Sequence, residues 1–260
     1  MPKKPEGAKW SEPAVLIERA QYQADGQGFL KSEFRHVFVL PATGGKERKL
    51  TDGDFNYGSD LSWTPDGKAL IFSANTSKDW EYQPRDSNLY QLDLATEQLT
   101  ALTTMPGNES SPVFSPDGKQ LAFLWQNNAL VPYSNSKLKI LNLSSNKISD
   151  IAADFDRSVE QPNWLNNSSF VVQYDDRGQR KLATLSSSGK ITDLTASLGG
   201  VSQPQPYLSG SYSVANNGAI AYTHGTSQRP SEVAVLQKGK TTVLTTLNED
   251  LLGHKNLAQV

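Results

Sequence analysis

The apolar positions of this chain come in short runs. "ALIFSA" (Ala69–Ala74) is apolar on both faces, and "NLYQLDL" (Asn88–Leu94) mixes apolar and polar positions. Gly, Pro, Asn, Asp and Ser bound each run. That pattern predicts strands of about 4–8 residues and no long amphipathic helix. A run apolar on both faces fits a strand sandwiched between neighbouring layers.

The pattern recurs at a fixed interval. Trp63, Phe114, Trp164 and Val214 share one slot, in "SWTPDGK", "VFSPDGK", "NWLNNSS" and "SVANNGA", at spacings of 51, 50 and 50 residues. A second slot, apolar-x-x-Leu, appears as Val37/Leu40, Leu89/Leu92, Leu138/Leu141, Leu182/Leu185 and Val233/Leu236. A third closes each unit at Leu50-Thr51, Leu102-Thr103, Ile151-Ala152, Leu194-Thr195 and Leu244-Thr245. Five units share two slots, and four of them show all three.

Within a unit, "LSW", "ALIFSA", "NLYQLDL" and "LTALT" read as four successive strands. Pro65 presets φ at the second position of a tight turn, Asp66 suits the third, and Gly67 takes the left-handed position after it. Pro116, Asp117 and Gly118 repeat that turn. Four antiparallel strands in each such unit make one blade of a β-propeller. The expected fold is all-β: a propeller of four-stranded antiparallel blades with about five repeats. A β-sandwich with accidental similarity does not account for three slots at one period, and a β-solenoid has a much shorter period. Trp63, Phe114 and Trp164 are expected to pack between blades.

The first unit is incomplete. "RHVFVLP" and "ERKLT" read as its third and fourth strands, "AVLIERAQY" as its second, and "YQADGQGFL" as a loop. The tail "LNEDLLGHKNLAQV" reads as a connector. The division expected is an N-terminal extension over residues 1–9, blades over 10–246 and a linker over 247–260, in a truncated propeller.

Composition narrows the function. The 260 residues carry a net charge of −2 with no long basic or acidic block, which gives no electrostatic argument for nucleic acid or an anionic membrane. No apolar run approaches the ~18 residues of a spanning helix. Without cysteine there is neither disulfide nor thiolate chemistry. "MPKKPEGAKWSEPAVLIERA" lacks the apolar core of a signal peptide, so the compartment stays open between cytoplasm and periplasm.

"WTPDGKALIF" and "FSPDGKQLAF" resemble the propeller repeats of the prolyl oligopeptidase family of serine peptidases, and also those of the periplasmic Tol-system propeller. "RAQYQADGQGFL", "HVFVLPATGG", "LTDGDFNYGSDLSWTPDG" and "DWEYQPRDSNLYQLDL" are similar to the acylaminoacyl-peptidase and dipeptidyl-peptidase-like subgroup. The tail resembles that subgroup's linker into an α/β-hydrolase domain. The resemblance covers residues 10–260. It implies a parent with a larger propeller followed by the hydrolase, of which this chain would hold the later blades.

Catalytic parts are missing from the sequence itself. No Gly-x-Ser-x-Gly occurs; "GVSQP" at Gly200 and "GTSQR" at Gly225 lack the last glycine. His36, His224 and His254 have no metal-ligand spacing. Asp154/Asp156, Asp175/Asp176 and Glu249/Asp250 read as turn residues. No cofactor and no metal are expected.

One loop stands apart: "NTSKDWEYQPRDSN" (Asn75–Asn88), between the second and third strands of its blade, with the counterpart "NNALVPYSNS" one unit later. Loops on a rigid scaffold carry binding groups. The resemblance implies that Glu81 holds a substrate's free amino end, with Trp80 and Tyr82 as apolar walls and Arg85 as a carboxylate partner. The bland alternative is a loop packed on its neighbour. "ADFDRSVEQP" (Ala153–Pro162) is a weaker rim segment.

Three functions compete. The first is a non-catalytic propeller fragment of a serine peptidase, gating peptide substrates into a separate α/β-hydrolase domain. The second is a free-standing Tol-like interaction module. The third, an enzyme in its own right, would need convergent His, Arg or carboxylates. Unpaired blade edges give a homo-oligomer as a further expected partner.

Overall fold

The computed structural model describes residues 3–11, 14–127, 133–202, 207–208, 210–226 and 228–255. Residues 128–132 of the second long loop, 203–204 and 227 of the two "GxSQ" stretches, and 256–260 of the tail lie outside them. Two short hairpins come first: β1 (Gln23–Ala24) with β2 (Gly28–Phe29), and β3 (Phe38–Val39) with β4 (Arg48–Lys49).

Four complete antiparallel sheets follow in strict chain order. Blade 1 is β5 (Tyr57–Trp63), β6 (Ala69–Ala74), β7 (Asn88–Asp93) and β8 (Leu99–Ala101). Blade 2 is β9 (Asn108–Phe114), β10 (Gln120–Gln126), β11 (Lys137–Asn142) and β12 (Lys147–Ile151). Blade 3 is β13 (Glu160–Asn166), β14 (Ser169–Asp176), β15 (Gln179–Ser186) and β16 (Ile191–Thr195). A hairpin of β17 (Val201–Ser202) and β18 (Tyr207–Leu208) precedes blade 4, which is β19 (Tyr212–Val214), β20 (Ile220–Thr226), β21 (Arg229–Gln237) and β22 (Lys240–Val243). A four-residue helix, α1 (Glu249–Leu252), begins the tail.

The four-strand unit is therefore present four times, with β3–β4 as the third and fourth strands of the incomplete first unit. "AVLIERAQY" is not a strand. The two-residue β3–β4 ladder offers no long edge for it to pair with, and Val15, Leu16 and Ile17 stay exposed. The "ADGQG" stretch, expected as a plain loop, closes the β1–β2 hairpin.

Alternate residues of one strand feed different cores. On β10, Leu121 and Phe123 pack with Ile71 and Leu89 of blade 1, whereas Ala122 and Leu124 pack with Phe170 and Val172 of blade 3. On β14, Val171 turns to Ile220 and Ala234 of blade 4. This is the period-2 alternation of a strand used on both faces, and it explains why all of β6 is buried.

The aromatic slot behaves differently at the first blade. Trp164 is 8% exposed, stacks on Phe170 and donates its Nε1–H to the Val113 carbonyl of blade 2 at 3.0 Å. Phe114 packs on the core between blades 1 and 2. Trp63, expected in the same role, is 53% exposed. The side chains that reach blade 1 from the small β3–β4 sheet, Val37 and Leu50, cover Leu70 and Phe72, and the Trp63 ring is left outside that core.

The "PDG" turns share one hydrogen-bond set. Gly67 N–H donates to the Thr64 carbonyl, Thr64 Oγ1–H to Asp66 Oδ1 at 2.7 Å, and Lys68 N–H to the same Oδ1 at 3.1 Å. Ser115, Asp117, Gly118 and Lys119 repeat it. The hydroxyl bond, then the backbone bond, holds each aspartate below its ordinary value. The turns also touch: Asp117 N–H donates to Asn167 Oδ1 at 3.1 Å, and Pro65 lies beside Gly118.

The closing Thr slot is a latch. Thr51, Thr103 and Thr245 accept through Oγ1 from the backbone N–H of Val37, Leu89 and Val233 at 3.0, 2.9 and 2.9 Å. Each ties its outer strand to the third. At Thr103 the latch also donates to Glu109 of blade 2, which accepts from Leu89 N–H at 3.1 Å as well. Glu109 has no solvent exposure and its Oε1 has no partner, and burial pushes its carboxyl up to about 7.

A further slot escaped sequence inspection. Asp60, Ser111 and Gln161 sit at one position of each first strand with φ of 55°, 52° and 47°. The ladder shifts register there in all three blades, which marks a bulge. Asp60 Oδ2 accepts from Ser111 N–H and Oγ–H at 3.2 and 3.1 Å, joining blades 1 and 2.

Two outcomes are expected. Gly67 and Gly118 both hold φ of 68°, but a Cβ meets nothing at Gly67 and lies 2.9 Å from Pro65 Cγ at Gly118. Gly67→Ala should cost about 1 kcal/mol in urea melts and Gly118→Ala clearly more; equal losses would refute the turn-to-turn contact. For Glu109 the folded pKa lies above the 4.5 of its unfolded form. Its contribution is thus full below pH 4.5 and is lost as pH rises through about 7. Thermal melts of Glu109→Gln should fall short of or match the parent at pH 4.5 and gain on it by on the order of 2–3 kcal/mol by pH 8.5. A difference that does not change with pH would remove Glu109 as the source.

Candidate functional site

The loop expected to carry binding groups is braced by its own side chains. Asn75 Nδ2–H donates to the Gln83 carbonyl at 2.8 Å, Ser77 N–H to Asn75 Oδ1 at 3.2 Å, and Asp79 N–H to Ser77 Oγ at 3.1 Å. Tyr82 and Gln83 N–H both return to the Asp79 carbonyl. Short polar side chains capping backbone in this way are what allow a long loop to hold one shape.

The braced loop meets the segment before β3. Ala20 N–H donates to Glu81 Oε2 at 3.3 Å, and Arg19 Nε lies 4.0 Å from Glu81 Oε1. The Arg19 guanidinium stacks 4.1 Å from the Phe34 ring centre, and Phe34 meets Trp80 edge-on at 6.1 Å. Between loop and segment lies a groove of about 1230 Å³, lined among others by Arg19, Tyr22, Phe29, Arg35, Trp80 and Glu81.

Of the four loop residues nominated from sequence, Trp80 and Glu81 line this groove. Tyr82 and Arg85 do not; both point to solvent, Tyr82 at 82% exposure. Glu81 already has Arg19 and Ala20 as partners. The opposite wall, from Arg19 to Arg35, was not nominated, although "YQADGQGFL" was singled out as distinctive. Its contact with Glu81 spans 61 residues, which no local pattern shows.

The other nominated groups are absorbed by structure. Arg157 of the rim segment bridges to Asp176 at 3.0 Å, and Phe155 packs on the blade 2–blade 3 core. Asp175 pairs with Arg180, and Asp176 also with Lys181. The turn itself is Arg177-Gly178, at φ of 50° and 76°. His36 Nδ1 bonds Thr51 Oγ1 and His224 Nδ1 bonds Ser197 Oγ. Among the described residues no three His, Asp or Glu converge as a metal site. The groove thus offers aromatic surface and both signs of charge, which suits recognition of an extended polar chain.

Residues 10–132 match the family model of the dipeptidyl peptidase IV N-terminal region. A probable dipeptidyl-peptidase 5 from Emericella nidulans is 34% identical over 76 residues, 29% of this chain and 10% of that protein. The Tol-Pal system protein TolB of Francisella tularensis is 33% identical over 91 residues, 35% of this chain and 18% of its own length. The chain therefore spans a fifth or less of these curated relatives. The structure of Pyrococcus horikoshii acylaminoacyl peptidase superposes over 95% of this chain and 37% of that one, with a TM-score of 0.67 at 14% identity, which shows the propeller fold. Together these show a propeller fold whose first half is similar to the N-terminal region of dipeptidyl peptidase IV.

Glu81→Gln should free the segment around Ala20. Amide exchange at Ala20 is expected to speed up while the global melt moves by less than about 1 kcal/mol, because the ion pair is partly exposed. Unchanged exchange at Ala20 would show that Glu81 does not hold the segment.

Proposed function

We propose that this chain is the non-catalytic propeller part of a serine peptidase, gating access and helping to position peptide substrates for a separate α/β-hydrolase domain. The observation that carries the reading is that the groove lies wholly within residues 10–132, the stretch that matches the dipeptidyl peptidase IV N-terminal region. In this reading residues 10–246 are the blades and 247–260 lead toward the hydrolase. Glu81, at 4.0 Å from Arg19 Nε and accepting from Ala20 N–H at 3.3 Å, takes a peptide's ammonium group as a closer charge-assisted partner. Trp80 walls the groove, and Tyr82 and Arg85, exposed beside it, act at its solvent rim once a peptide extends past it.

A second reading, a Tol-like interaction propeller, is favoured by the similarity to TolB over 91 residues. It places the partner at the loop face without a hydrolase. In either reading the outer side of blade 4, where Val233, Val243 and Leu244 are exposed, is where a second copy would pack.

The test is a titration of the chain with a short peptide bearing a free amino terminus, and with its N-acetyl form, read from the Trp80 and Ala20 resonances. The free form should bind about tenfold tighter, and Glu81→Gln should erase that preference. Equal binding of the two peptides overturns the positioning role. Hydrolysis of either peptide by the chain alone overturns the non-catalytic reading.

A further inference from the structure

At the loop end of blade 4, β20, β21 and the tail enclose a pocket of about 160 Å³. His224, Thr226, Arg229, Pro230, Glu232 and Asn248 are in its wall. Arg229 is fixed at its backbone, where its N–H donates to Thr226 Oγ1 at 3.1 Å. Its guanidinium is not. Nη1 is shielded from solvent and has no hydrogen-bond partner, and among the described residues no carboxylate pairs with the guanidinium. A guanidinium does not shed its proton to relieve this. A buried, uncompensated N–H of a cation is costly, and the cost disappears when an acceptor of opposite charge occupies the site.

The carboxylate three residues along the same strand is not that acceptor. Glu232 takes bonds from Thr245 Oγ1, from Asn248 N–H at 3.1 Å and from Asn248 Nδ2–H at 3.0 Å. The hydroxyl bond of Thr245, before the others, holds its carboxyl down at about 2. It is ionised and already satisfied. His224, its cross-strand neighbour, engages Ser197 Oγ through Nδ1 at 3.0 Å, and its Nε2 has no partner among the described residues.

We propose that this pocket binds a carboxylate, with Arg229 Nη1 as the principal donor and His224 Nε2 beside it. The pocket's charge selects the class. Glu232 and Glu249, also in the wall, repel a dianion such as phosphate twice as strongly as a carboxylate, and the single guanidinium offsets only one negative charge. The volume holds about five waters, or a carboxylate with its first few carbons, and Pro230 and Val243 give those carbons an apolar wall. A small free acid and the C-terminal end of a peptide present the same group. The site is separate from the groove at Glu81 and does not depend on its role.

The full chain, labelled with ¹⁵N, is titrated with acetate, with a tripeptide bearing a free C-terminus and with the same tripeptide amidated. The Arg229 side-chain and His224 ring resonances are followed. Saturable shifts of both with acetate and the free-acid peptide are expected, with the amidated peptide at least about tenfold weaker. A free-acid peptide that outbinds acetate tenfold identifies a peptide end as the ligand; equal affinities identify a small acid. Arg229→Gln should weaken binding by at least about tenfold. No saturable shift, equal binding of acid and amide, or parental affinity in Arg229→Gln each overturns the proposal. Should Arg229→Gln fail to fold by circular dichroism, the acid-against-amide comparison on the parent decides.

Discussion

Everything in this molecule depends on strands that are used on both faces. Leu121 and Ala122 are neighbours in sequence, yet one belongs to the core with blade 1 and the other to the core with blade 3. No blade owns a core of its own. Stability is then built from blade-to-blade interfaces, as in other repeat arrays, and the small polar contacts follow the same rule. Trp164 reaches the Val113 carbonyl, Asp60 reaches Ser111, and Glu109 closes the Thr103 latch from the next blade.

That constraint is also why so much of the fold was legible. A strand buried on both faces leaves a run such as "ALIFSA", and a turn with one hydrogen-bond solution leaves "PDG" at a fixed interval. The Thr slot was visible as a period, but its reason, an Oγ1 acceptor for the third strand, was not. Two expectations failed where the array has an end. Trp63 carries the same slot as Trp164 but has only a two-residue sheet before it, and the apolar run Val15–Ile17 has no edge to join. Periodicity assumes a neighbour on each side. The bulge at Asp60, Ser111 and Gln161 was hidden because three unrelated side chains adopt one backbone shape.

The candidate site was half legible for a related reason. Loop composition pointed to Trp80 and Glu81, since aromatic and charged residues between two firm strands are seldom needed for packing. The facing wall is set by tertiary contacts alone. Arg19, Phe34 and Trp80 stack because the chain returns there, not because their spacing says so. At blade 4, likewise, nothing in "HGTSQRPSE" reveals that one guanidinium nitrogen is left without an acceptor.

The bulged first strands carry one more difference. In blades 2 and 3 the residue after the bulge is Pro112 or Pro162, while blade 1 has Leu61 there, half exposed. Proline has no N–H to offer along the free edge of a sheet and resists pairing with a foreign strand. The inner rims of the middle blades are therefore insulated against edge-to-edge aggregation. Blade 1, with Leu61 at that position, lacks this insulation. The first strands of the middle blades are thus guarded by two imino acids in addition to the burial of both their neighbours' faces.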